Sequence, residues 1–281
     1  MSTQAAVAAA TVARDLTLND LREALVAGWK DFRAQPQFGL FFAGIYVAAG
    51  WFLYFVLFRQ GEVGWLVPAA AGFPLLAPFM VVGLYEASRR REAGLPRSWG
   101  AILGALRGHG DEQLLMMGGF VFVGFTFWVI LAHTIFAIFM AESGIGSESL
   151  EIFRTPAGMA VPVVGVFVGA MMALAFYEIT ITSLPMLVDR EVDFLGAIIV
   201  SVRAVRANRF VMVAWASILS LVMLVSLLPM FLGLLVAMPV LGHATWHLYR
   251  RVVPAGPVVV PVEHALQDGD VGQGLSQALG A

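Results

Sequence analysis

The chain has 281 residues, of which 59% are hydrophobic and 13% charged, with a formal net charge of −2 at pH 7. A soluble domain carries about 25% charged residues, so this charge deficit and a mean hydropathy of +0.83 point to a membrane protein, while the near-neutral balance argues against a nucleic-acid binder. The absence of cysteine excludes disulfides, thiolate metal sites, iron–sulfur clusters and cysteine nucleophiles.

Residues 1–17 read as a disordered tail, because Met1 to Ala13 is rich in alanine and has no basic residue ahead of its short apolar part, unlike a signal peptide. Residues 18–252 then form one membrane domain. An apolar stretch of about 20 residues crosses a bilayer as a helix, and uncharged runs of that length occupy 38–58, 65–85, 114–140 and, apart from Glu178, 161–187. The next run, 210–249, contains no Asp, Glu, Lys or Arg and is about twice the length that one crossing needs. Proline removes a backbone donor and disfavours a helical residue before it, so Pro229 predicts a reversal between helices over 210–227 and 231–249. The expected fold is an all-α bundle of six transmembrane helices.

Arg and Lys are retained on the cytoplasmic side. With the N-terminus inside, fifteen of the seventeen basic residues fall in inner segments, and only Arg59 and Arg154 fall outside. Both termini of this multi-pass protein are therefore expected in the cytoplasm. Residues 253–281, rich in Pro and Gly, read as a disordered C-terminal tail.

Each inner segment ahead of an odd-numbered span has amphipathic helical spacing. Leu18, Leu21, Leu25, Trp29 and Phe32 form the first stripe, Trp99, Ile102, Leu103 and Leu106 the second, and Leu195, Ile198, Ile199, Val202 and Val205 the third. Such helices lie in the headgroup plane, so the lipid bilayer is itself a partner. Each even-numbered span has a proline near its inner end, at Pro78, Pro185 and Pro239. Two readings stay open: three copies of a unit of interfacial helix plus hairpin, or juxtamembrane helices of an ordinary kind.

Ionisable residues inside spans are costly and point to function. They are His133 in the third span, Glu178 in the fourth, and His243 and His247 in the sixth. Counted from helix ends at 1.5 Å per residue, Glu178 and His243 lie at the same inner-leaflet depth, whereas His133 is near the outer end of its span. The expectation is a buried polar site of Glu178 with His243 and His247, supported by Thr180 and Ser217. It would be either a hydrogen-bonded helix clamp or a site for metal binding or proton exchange. Gly165-Val-Phe-Val-Gly169 reads as a close helix contact within the bundle.

The stretch from Pro239 to Arg251, with Gly242-His243-Ala244-Thr245-Trp246-His247 at its centre, and Gly28-Trp29-Lys30-Asp31-Phe32 ahead of the first span, together resemble an uncharacterised family of predicted bacterial integral membrane proteins over roughly residues 18–252. The resemblance implies a multi-span helical fold and no particular activity. Members of that family are sometimes labelled as akin to cytochrome c oxidase subunit I. A haem–copper subunit needs about a dozen spans and several mid-membrane histidines; this chain has five histidines, of which His109 and His264 lie outside the spans, so that activity is rejected.

No nucleotide-binding loop, catalytic serine constellation or soluble domain is visible. The expected function is thus a non-enzymatic accessory or assembly factor of a larger membrane complex, with no catalytic residue, cofactor or metal and with no nucleic acid as partner. The alternative is a small transporter or channel built on the inner-leaflet Glu/His site.

Overall fold

In the computed structural model, residues 11–59, 81–105, 112–143 and 156–254 are described, and among them are ten helices. Helix α1 (Leu18–Ala34) starts at a capping box, in which the Thr17 side chain accepts from the Asp20 amide and the Asp20 carboxylate accepts from that of Thr17. Its buried face comprises Leu21, Ala24, Gly28, Asp31 and Phe32. Pro36, at the first position of α2 (Pro36–Arg59), forces the break at Gln35, which adopts φ −150° and ψ 56°.

Helix α3 (Val82–Glu92) ends at Ala93, and Gly94 follows at φ +65°, a left-handed conformation that glycine adopts without a Cβ clash. Helix α4 (Trp99–Gly104) is capped by Ser98. The long α5 (Gln113–Ser143) and α6 (Pro156–Thr180) come next. A turn at Ile181 and Thr182 separates α6 from α7 (Ser183–Asp189). Pro185 explains that interruption, because it has no amide proton for the Ile181 carbonyl.

Asp193 caps α8 (Phe194–Ala207) by accepting from the Gly196 amide at 2.6 Å. Helix α9 (Arg209–Leu227) and α10 (Leu234–Val252) are joined by the reversal expected around Pro229. The turn has two non-glycine residues at positive φ, Met230 and Phe231. Gly233 packs so closely on Ser226 that a Cβ would lie 2.7 Å from the Ser226 Cα. The Trp51 indole donates to the Met230 carbonyl at 2.8 Å, tying α2 to this turn.

Four helices are long and apolar enough to cross a membrane, over Pro36–Val56, Gln113–Ile135, Val163–Asp189 and Arg209–Leu227. These correspond to the first, third, fourth and fifth expected spans. The second expected span lies outside the described residues except for 81–85. The sixth is helical as α10 but is not among the four, its mean hydropathy being reduced by the His and Arg residues of its C-terminal half.

The boundary between N-terminal tail and membrane domain differs from the expected 17/18. The Ala13 amide donates to the Val252 carbonyl at 2.9 Å, the Leu16 amide to Asn208 Oδ1 at 3.3 Å, and Asn208 Nδ2 to the Ala13 carbonyl at 2.7 Å. Composition alone read this stretch as a tail because its anchors are backbone groups, whose pairing leaves no mark in residue type.

At the end of the bundle where α10 finishes, α1 lies along α10, α8 packs on α6 and α7, and α4 touches α3. The buried core runs through this layer, with Leu84, Ile102, Met117, Leu184, Trp215 and Trp246 among its fully buried side chains.

Candidate functional site

The approach of α1 to α10 sets up the main polar cluster. A Cβ on Gly28 would lie 2.6 Å from both the Ala244 amide nitrogen and the Val240 carbonyl oxygen, so the two backbones meet where a larger residue would hold them apart. One turn along α1, Asp31 is 1% exposed. Its position in the last turn is unfavourable for an anion, because the carbonyl end of a helix is negative, so compensation has to come from neighbouring helices.

Three groups supply it. His247 Nε2 lies 3.0 Å from Asp31 Oδ2, the Ser88 hydroxyl donates to the same oxygen at 2.5 Å, and Arg91 Nη1 pairs with Oδ1. Burial pushes the Asp31 carboxyl up, yet the hydrogen bonds from His247 and Ser88 and the charges nearby outweigh it and hold the group below its ordinary value.

His243 Nδ1 lies 2.7 Å from the Ser88 hydroxyl oxygen. Ser88 has one proton, and an ionised Asp31 can only accept it. The remaining Ser88 contact therefore requires His243 to donate from Nδ1, which leaves Nε2 as an unprotonated acceptor. That nitrogen is buried and has no hydrogen-bond partner among the described residues; the same is true of both side-chain polar atoms of Gln35, the residue that ends α1 four positions after Asp31.

Around this cluster, the C-terminal ends of α3, α7 and α10 are laced by ion pairs. Glu86 accepts from Arg89 at 2.6 and 2.9 Å and from Arg90 at 2.7 Å. Asp189 accepts from the Tyr249 hydroxyl at 2.7 Å and from Arg250 at 3.1 Å. Glu92 accepts from the Trp246 indole at 3.0 Å and from Arg250 at 3.2 Å. Arg251 reaches Asp20 and Asp15 at the start of α1, at 2.9 and 3.1 Å.

The structure thus brings His243 and His247 together through Asp31 and Ser88, and it does not bring Glu178 to them. The hydrogen bond at Glu178 is made by its backbone carbonyl, which accepts from Ser201 of α8 at 2.7 Å. Thr180 and Ser217 donate to carbonyls of their own helices, Phe176 and Val213. His133 lies half-buried on α5. Equal depth along the membrane normal says nothing about rotation around a helix axis, and rotation turns His243 toward α1 and α3. Asp31, Ser88 and Arg91 were not anticipated. A signal for Asp31 was present, since Leu21, Ala24, Gly28 and Asp31 follow one another at spacings of three and four on a single face.

Helices of the same bundle line a partly open cavity of about 330 Å³ whose lining includes Tyr46 of α2, Tyr85 of α3, Tyr177 of α6, Met223 of α9 and Thr245 of α10. Within the α5–α6 pair, Gly124 accommodates the Phe176 ring and Gly169 faces the Trp128 ring, 3.0 Å from a built Cβ. Gly169 therefore makes the internal contact expected of the Gly165/Gly169 pattern, while Gly165 meets nothing within 4 Å.

No curated protein and no solved structure matches the chain. A family model matches residues 66–189, which include Ser88 and Arg91 but neither Asp31, His243 nor His247. That family is described as "Predicted integral membrane protein (DUF2189)"; the match covers less than half of the chain and, with the apolar helices, marks it as an integral membrane protein that is similar to that family over this segment.

Proposed function

We propose that the chain is a six-span bacterial inner-membrane protein, with both termini in the cytoplasm, that serves as a non-enzymatic accessory or assembly factor of a larger membrane complex. The observation that carries this reading is the exposure of the α5–α6 pair. Only 22% of the most apolar stretch of α5 and 11% of that of α6–α7 is buried. Phe122, Val123 and Phe127 on α5 and Val163, Val166 and Phe167 on α6 are all more than half exposed. Without water in the bilayer, helix association depends on close packing, and two long helices that spend so little surface on their own bundle offer that surface to helices of another protein.

The six-span count is supported by α3 and α10, which both run from the bundle interior to the arginine-rich inner rim, and by the distribution of Arg and Lys. A threefold repeat gains support from the packing order. Each interfacial helix is capped at its start, by Thr17, Ser98 or Asp193, and each packs on the inward-running helix of the preceding unit, with α1 closing the ring on α10.

A photoreactive residue at Val166 or Phe167, activated in cells before purification in mild detergent, tests the accessory reading. Stoichiometric crosslinking to one membrane protein supports it. Crosslinking to lipid alone at both positions would overturn it.

A second reading, a small transporter or channel, is favoured by the bare His243 Nε2 and the Gln35 amide beside the Asp31 cluster. In this reading Asp31 takes the place expected for Glu178. Proteoliposomes showing no flux of protons or small cations that depends on His243 would count against it.

A further inference from the structure

The cavity has a polar end and an apolar end. None of its lining residues has an ionisable acid or base other than tyrosine, and Ser88 and His243 of the polar cluster do not line it. Toward the cytoplasmic end stand Tyr85 and Thr245, 3% and 4% exposed. Neither hydroxyl makes a hydrogen bond among the described residues. By contrast, the Tyr177 and Thr180 hydroxyls in the same wall donate to the carbonyls of Met212 and Phe176, each at 2.7 Å. Toward the membrane centre the lining turns apolar, with Met223, Leu227 and Met238.

We infer that this cavity binds one neutral, mainly apolar amphiphile taken from the bilayer, its hydroxyl or carbonyl held by Tyr85 and Thr245 and its hydrocarbon lying against Met223, Leu227 and Met238. The volume is at the lower end of small-molecule sites, enough for one short chain and too little for a whole phospholipid. A hydroxyl turned into a largely apolar cavity without a protein partner is costly, so two of them in one wall are a recognition element for a group that both donates and accepts. An ionised headgroup is selected against, because no countercharge lines the wall. The inference goes beyond the accessory reading and does not depend on it.

The test uses the full chain in phosphatidylcholine nanodiscs with tritiated 1-dodecanol as the probe and empty discs as background. Saturable binding of one dodecanol per chain is expected, weakened about tenfold in Tyr85→Phe, Thr245→Val, which removes the hydrogen bonds at nearly constant volume. Ala173→Phe, which places a ring in the cavity wall, should abolish binding, and dodecanoate at pH 8 should fail to displace the alcohol. The thermal unfolding midpoint shows that each variant is folded; if Ala173→Phe is not, the two conservative replacements decide. Binding no greater than in empty discs, undiminished binding in the double variant, or displacement by dodecanoate as effective as by unlabelled dodecanol would each overturn the inference.

Discussion

His247 and Asp31 meet at 3.0 Å across 216 residues of sequence, joining the last helix of the bundle to the first. The contact closes α1 onto α10 at the arginine-rich end of the bundle, and four of the following expectations concern the seam between these helices or the residues expected to share its site.

Gly28 sits where the two backbones touch. Gly28→Leu has no room, since the obstructing atoms are backbone atoms of Val240 and Ala244 and not the end of a flexible side chain. A loss of at least about 2–3 kcal/mol is expected, as for overpacking of a well-filled core, read as a lower unfolding midpoint in detergent. Wild-type stability in Gly28→Leu would mean that the helices do not approach this closely.

Asp31 gives the seam a pH dependence of defined sign. Its folded value is held below the ordinary carboxylate value of 3.8, so its contribution is fully present above about pH 3.8 and is lost as pH falls through the lower folded value. Asp31→Asn should cost about 2–3 kcal/mol at neutral pH, in the lower range for a broken buried pair because Arg91 is 37% exposed. It should also flatten the acid limb of a stability profile. Parallel acid limbs in the two proteins would dismiss this role.

His243 should hold its proton on Nδ1. Nitrogen-15 shifts of a histidine-labelled sample would show the protonated nitrogen directly. His243→Asn, whose amide can still donate near the Nδ1 position, should be milder than His243→Leu, with a difference of about 1 kcal/mol for the retained hydrogen bond. Equal effects would argue against the Ser88 contact.

Glu178→Gln should change stability by less than about 0.5 kcal/mol, as for a replacement away from any special contact, because the hydrogen bond at this position uses the backbone carbonyl. A large loss would restore the carboxylate to the site first expected for it.

The sequence by itself determined that the chain is helical and membrane-embedded, since both follow from composition and from the length of uncharged runs, quantities that need no knowledge of neighbours. It also located the reversal around Pro229, because proline acts on its own backbone and on the residue before it. Rotation of each helix about its axis was decided only in the tertiary structure. His243 and Glu178 were correctly placed as polar residues within helices, yet which helix each one faces depends on close approaches such as Gly28 against Ala244. Asp31 read as one charge on an amphipathic helix and became the centre of the polar cluster because Ser88, Arg91 and His247, from two distant helices, converge on it. The physical reason is that hydropathy and local propensity are sums over neighbouring residues, whereas a buried polar site is a coincidence of side chains far apart in sequence.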